Sequence, residues 1–173
     1  RTWAEIDLDA LKGNVRVISE LSNGKEIIAV VKANAYGHGS VPCSKALNDM
    51  GITHFAVSNL REAQILTEGG IKGDIIIFGY CDVPSVMENL DKGYIFTVGS
   101  TEYAEELSDA ALKRGIKVTV DIKLDTGMSR VGISTESEAD RILSQKGLNC
   151  RGAYTHFAVA DSLEPQNMDF TRK

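Results

Sequence analysis

The sequence predicts an α/β fold, a TIM-type (β/α)8 barrel of which residues 1–173 supply the N-terminal part, about six βα units. Three observations predict it. A short β-rich run followed by an amphipathic stretch recurs along the whole chain. The recurrence spans roughly 20–35 residues, the length of a strand plus a crossover helix. One strand, "VTVDIKLDTG", sets Val118, Val120, Ile122 and Leu124 on one face and Thr119, Asp121, Lys123 and Asp125 on the other. A parallel sheet packed on both sides should not carry that polar face, whereas a barrel interior near its catalytic mouth can.

The elements follow in order. "AEIDLD" reads as a short strand, with Asp9 as N-cap of a helix that puts Leu11, Val15, Ile18 and Leu21 on one face. Ile27–Val31 is a continuous apolar run, the pattern of a strand buried on both faces. A helix follows Gly39 and ends before Gly51. "HFAVS" and "DIIIFG" are strands, separated by the helix "NLREAQILTEGG". "VPSVMENLDKG" is a short helix and "IFTVG" a strand. "STEYAEELSDAALKRG" is a helix with Ala104, Leu107 and Ala111 on one stripe, and "KVTVDIKLD" is the strand after it. Thr135 and Glu138 form a capping box for a helix with Ile142 and Leu143, and "CRGAYTHF" is the sixth strand of the series.

An open doubly wound sheet is the competing architecture. It usually carries GxGxxG after its first strand, and "KANAYGHG" lacks that spacing. A full barrel takes about 250 residues, so 173 residues read as an incomplete one.

Composition excludes several classes. The chain is 43% hydrophobic and 25% charged, with net charge -5 and no basic stripe, which argues against a nucleic-acid partner. No apolar run reaches the length of a membrane span, nothing near Arg1 looks like a signal peptide, and the chain does not start with Met. Cys43, Cys81 and Cys150 are odd in number and widely spaced, which reads as free thiols in a reducing, cytoplasmic setting. His38, His54 and His156 show no metal-ligand spacing.

Lys32 ends the first barrel strand, where barrel enzymes place catalytic groups. An amine partly removed from water is more readily neutral, and a neutral amine attacks carbonyls. A lysine snorkelling outward at a strand end fits the spacing equally well.

Four motifs shift that balance. "VVKANAYGHG" resembles the cofactor-lysine segment of alanine racemases, a family of fold-type III pyridoxal-phosphate enzymes. "DTGMSRVG" at Asp125–Gly132, "YTHFAVAD" at Tyr154–Asp161 and "AEIDLDALKGNV" near the start resemble further segments of that family, in its order. Val159 departs from the pattern, standing where the family more often has a smaller polar residue.

The resemblance implies a pyridoxal 5'-phosphate cofactor and a two-base racemisation of L- and D-alanine that supplies peptidoglycan. It implies Lys32 as the cofactor-binding lysine and one catalytic base, and Tyr36 as a phosphate ligand. Arg130 would bond the cofactor's phenolic oxygen and the substrate carboxylate region. His156 would support an arginine at the ring nitrogen, Phe78 would line the cofactor pocket, and Met128 would lie near the substrate carboxylate. It also implies a carbamate on Lys123. The second base, a tyrosine, would come from the C-terminal β domain of a partner subunit in a homodimer. That domain lies outside this chain, and the Trp3–Leu8 strand would join it.

Alternatives are a serine racemase domain of the same fold, sometimes attached to membrane helices, a non-catalytic pyridoxal-phosphate-binding barrel, a decarboxylase of the same fold type, and a scaffold without a site. Single-domain cofactor handlers lack the "AYGHG" and "DTGMSR" segments, and a bare scaffold has no use for Asp121 and Lys123 on an interior face.

Overall fold

The computed structural model describes residues 2–172. Two compact units make up the chain: residues up to Asp82 with Asn89–Ile95, and Val83–Glu88 with the residues from Phe96 on.

The first unit contains α1 (Leu8–Leu21), β1 (Ile28–Val30), α2 (Lys32–Tyr36), α3 (Ser40–Asp49), β2 (His54–Val57), α4 (Leu60–Glu68) and β3 (Asp74–Ile77). Its strands pair in parallel, Ile28 with His54 and Phe55 with Ile75. Phe55, Ala56, Val57 and Ile77 lose all solvent contact there, as do Ala63 and Leu66 of α4. Each large side chain so buried is worth about 1.5–3 kcal/mol. Asn59 caps α4 by accepting the Glu62 N–H at 3.0 Å, so the helix starts at a defined residue beyond β2.

The second unit contains α5 (Val83–Glu88), β4 (Ile95–Val98), whose first residue closes the first unit, α6 (Thr101–Lys113), β5 (Val118–Leu124), α7 (Glu136–Leu143), β6 (Leu148–Thr155) and α8 (Pro165–Arg172). The strands again pair in parallel, and order in the sheet follows order in sequence. The α6 stripe of Ala104, Leu107 and Ala111 is fully buried, as its spacing predicts. The Thr135–Glu138 capping box forms. This repetition of strand and helix is the parallel α/β architecture of a partial (β/α)8 barrel.

Four expectations are corrected. The strand expected over Trp3–Leu8 is absent: residues 3–7 join no ladder among the described residues, and Leu8 is already helical. The cap is Asp7, not Asp9, because the Asp7 carboxylate accepts the N–H groups of Asp9 and Ala10, both at 2.9 Å. β1 is not buried on both faces. Ile28 and Val30 are 43% and 38% exposed, since β2 is its one sheet neighbour among the described residues. β6 starts two residues before Cys150 and stops at Thr155, which leaves His156 beyond it. Helix α8 was not expected; Pro165 at its first position was the available signal. No helix among the described residues is long and apolar enough to cross a membrane.

Candidate active site

Each unit carries sequence-singled residues at the C-terminal ends of its strands. In the first unit Lys32 is the second residue past β1, half-buried, and opens α2. That single turn is left-handed: Ala33, Asn34, Ala35 and Tyr36 have φ of 50°, 54°, 52° and 54°. For residues with a Cβ this backbone costs about 1–2 kcal/mol each. Something must therefore hold it.

Hydrogen bonds do so from both sides. Inside the segment, Gly37 N–H donates to Ala33 O at 3.0 Å, and Asn34 Oδ1 accepts Ser40 N–H at 2.8 Å. Gly37 and Gly39, at φ of 90° and 92°, then turn the chain into α3. From outside, Glu62 of α4 accepts the Ala33 N–H through Oε1 at 2.8 Å. Its Oε2 accepts the N–H and the hydroxyl of Ser58, each at 2.8 Å. Burial alone would raise the Glu62 pKa. The Ser58 and Ala33 hydrogen bonds and the Lys32 charge together outweigh it and hold the carboxyl below its usual range.

Tyr36, at the end of this turn, is 60% exposed, so its hydroxyl is open to a ligand rather than packed in a core. Phe78 follows β3, its N–H bonded to Val57 O at 2.9 Å, and packs partly against Ala56, Ile76 and Ile95. A cavity of about 660 Å³ in this unit is a mainly apolar seam between α1 and the strand and helices after it, with Tyr36 and His38 on its wall.

In the second unit Asp121 and Lys123 are buried, 5% and 6% exposed, as the polar face of their strand required. Asp121 receives Arg151, with Nε and Nη2 at 3.2 and 2.7 Å from its two oxygens. Lys123 donates to Leu124 O at 2.5 Å, and its ammonium lies 5.8 Å from the Tyr154 ring centre. Burial lowers the Lys123 pKa. Asp125 works against that shift and Arg130 reinforces it.

The segment after β5 folds back on the strand. Asp125 Oδ1 accepts the N–H groups of Gly127 and Ser129 at 3.0 and 2.9 Å. Asp125 N–H donates to Ile133 O at 2.8 Å, and Ile133 N–H to Lys123 O at 3.0 Å. Gly132 has φ of 133°, and a Cβ there would sit 2.9 Å from Lys123 O. The loop thus closes against the Lys123 backbone only with glycine at that position. It leaves Arg130 exposed, Met128 half-buried, and an open cavity of about 520 Å³ lined by Asp125, Ser129, Arg130 and Ser134.

Tyr154 lies opposite Lys123 in the β5–β6 ladder and hydrogen-bonds Thr97 at 2.9 Å. Burial, with Asp121 nearby, pushes its pKa up to about 12. His156 lies one residue past β6 and is exposed.

So the first unit carries Lys32 and Tyr36 past the end of β1 and Phe78 past the end of β3. The second gathers Lys123, Arg130 and Tyr154 around the end of β5, with Met128 in the loop that carries Arg130. Sequence reasoning missed Glu62, Asn34, Tyr154 and Arg151. Glu62 had a faint signal, since "NLRE" matches an N-cap three residues ahead of a Glu. Its carboxylate goes to Ser58 and Ala33 instead of back to Asn59.

Comparison with known proteins identifies the family. The family profile described as "Alanine racemase, N-terminal domain" matches residues 6–172. An alanine racemase of Clostridium perfringens is 44% identical over 164 residues, covering 92% of this chain and 42% of that protein. A solved alanine racemase of Clostridium difficile superposes with a TM-score of 0.88 at 32% identity, over 99% of this chain and 46% of its own. A histidine racemase of Leuconostoc mesenteroides superposes at 0.87 with 27% identity, over 95% of this chain and 45% of its own. The chain thus spans a little under half the length of the relatives it matches. By profile, sequence and structure, the chain belongs to the alanine racemase family and supplies its N-terminal domain.

Proposed function

We propose that the protein is a pyridoxal-phosphate-dependent amino-acid racemase acting on alanine by two bases, with this chain supplying the lysine base. The observation that carries the reading is the position of Lys32. It is the second residue beyond β1, at the catalytic end of a parallel strand, and opens a strained turn that ends on an exposed tyrosine. The donor set suits the cofactor: an amine for its aldehyde, and a phenol and a guanidinium for its anionic oxygens.

When bound, pyridoxal phosphate supplies an electron-accepting ring that makes the substrate Cα proton removable. Lys32 Nζ would hold the cofactor aldehyde and would take or return the substrate Cα proton from one face. Tyr36 would donate its hydroxyl to the phosphate. Arg130 would donate to the phenolic oxygen and the substrate carboxylate region, with Met128 beside that carboxylate. Phe78 would line the cofactor pocket, and His156 would support an arginine from outside this chain. A tyrosine of a partner subunit serves the other face, in a cytoplasmic homodimer whose D-alanine feeds peptidoglycan. The Trp3–Leu8 segment packs with the C-terminal β domain that carries this tyrosine.

Lys123 completes the reading. Its neutral amine adds to carbon dioxide, forming an N–C bond and releasing a proton, and the resulting carbamate is an anion beside Arg130. Burial already favours the neutral amine. A carbamate turns repulsion of Arg130 into a charge-assisted hydrogen bond that steadies the guanidinium.

Borohydride reduction of the full-length protein with pyridoxal phosphate should place the adduct on Lys32 by peptide mass mapping. Lys32→Ala should abolish alanine racemisation, and Lys32→Arg should not restore it. An adduct on another lysine would sink the assignment, and faster racemisation of serine than of alanine would overturn the substrate.

A further inference from the structure

We propose that Glu62 is a positioning residue for Lys32: its carboxylate fixes the peptide that follows the lysine and locks the left-handed turn carrying Tyr36. The inference rests on the reading of Lys32 as the cofactor lysine and adds a residue to that site.

Geometry carries it. The bond from Ala33 N–H to Glu62 Oε1 spans 29 residues and reaches the peptide between Lys32 and Ala33. The other hydrogen bonds of the turn itself run between residues 31 and 40; Val31 N–H, just ahead of it, is held by Ala56 O of β2 at 2.9 Å, so Glu62 adds the tie on the far side of Lys32. Glu62 is itself immobilised. Its second oxygen is held by Ser58, the first residue beyond β2, whose preceding residue Val57 is fully buried. The backbone of α4 is fixed through Asn59. One carboxylate therefore links the end of β1 to the end of β2 with both oxygens engaged.

That link matters because the turn works against the intrinsic preference of its residues. Four consecutive residues with a Cβ adopt φ near +50°, a conformation that persists only where the surroundings over-determine it. A capping role alone would send Glu62 back to the Asn59 N–H. Spending both oxygens on Ala33 and Ser58 marks a task at the lysine end. Releasing Ala33 N–H frees the peptide that sets the direction of the Lys32 side chain and the start of the turn ending at Tyr36.

The test uses the full-length protein and pyridoxal phosphate as probe. Glu62→Ala should weaken cofactor binding roughly tenfold, the scale of a hydrogen bond to a charged group, and should slow borohydride trapping at Lys32. It should also speed hydrogen exchange of the Ala33 amide in the cofactor-free protein. Glu62→Gln keeps one carbonyl for Ala33 N–H, and the Ser58 hydroxyl can turn to accept the new amide, so it should fall between wild type and Glu62→Ala. Leu66→Val, in the core of the same helix, should lower Tm without changing cofactor affinity. Wild-type affinity and trapping in Glu62→Ala would overturn the proposal. So would equal loss in Leu66→Val at matched Tm, since the role would then be structural only. Failure of the wild-type protein to label at Lys32 would strike the parent reading, and this inference with it. Normal wild-type labelling with an unaffected Glu62→Ala would strike this inference alone.

Discussion

Lys32 and Lys123 both stand at C-terminal strand ends, and opposite means hold them. Lys32 is half-exposed on a turn that its own residues disfavour, kept in place by a carboxylate 30 positions along the chain. Lys123 is buried within β5 on ordinary extended backbone, and the loop after it closes through Asp125, Ile133 and Gly132. One lysine opens a strained turn and keeps part of its surface in solvent. The other is held by burial, which lowers its pKa. The difference teaches that two lysines at strand ends can be held by opposite means, one by a tertiary hydrogen bond to a strained turn and one by burial, and on the proposed reading the first is the reactive position and the second its support.

The comparison breaks first at the support for β5. Asp121 has 7% of its side chain exposed and is partnered by Arg151, which is 32% exposed. Arg151→Met should leave a buried carboxylate without its guanidinium, at a cost of roughly 3 kcal/mol in denaturant unfolding of the full-length protein. Adding Asp121→Asn should recover part of the loss, because the penalty belongs to the orphaned charge. A single variant as stable as wild type would show that β5 does not depend on this pair.

Arg151 also marks where sequence reading stopped. The strand–helix alternation was legible because periods of two and 3.6 are written in the side chains, so β5, α6 and the α7 capping box fell close to where the pattern put them. A bulge is not written that way. The ladder pairs Val120 with Cys150 and then Asp121 with Gly152, leaving Arg151 as the extra residue on β6. The handedness of α2 was equally hidden. "KANAY" holds no glycine, and its residues suit a right-handed helix, so tertiary hydrogen bonds override local preference there. The position of Lys32 just past β1 was legible from the apolar run before it. Glu62 was not, because its partner lies 29 residues away. Asp7 replaced Asp9 as a cap because two aspartates two residues apart offer the same signal.

Lys123 sharpens the comparison at a smaller scale. If burial prepares a neutral amine for carbamate formation, Lys123→Ala should lower turnover on the order of tenfold, about 1.4 kcal/mol, by loosening Arg130. Acetate should restore part of it by supplying a carboxylate in the vacated space. Lys32→Ala should show no such rescue, since acetate replaces neither its amine nor its base. Mass analysis of native protein in bicarbonate should show one added carbon dioxide. Unmodified lysine together with unchanged turnover in Lys123→Ala would reject the carbamate.

Tyr154 gives the smallest effect and the most specific pH signature. Its phenol is held near pKa 12 by burial, against 10.0 for the unperturbed group. The folded protein therefore binds this proton more tightly than the unfolded chain does. The associated stability is fully present below pH 10 and is lost as pH rises from about 10 towards 12. Tyr154→Phe removes the titration together with the hydrogen bond to Thr97, costing about 1 kcal/mol near neutral pH. Between pH 9 and pH 11 wild type should then lose more stability than Tyr154→Phe, and the gap between the two should narrow. Urea midpoints of the full-length proteins at the two pH values measure it. Parallel losses would mean that the phenol titrates alike in both states, and that burial at the Lys123 end of β5 is shallower than the structure gives.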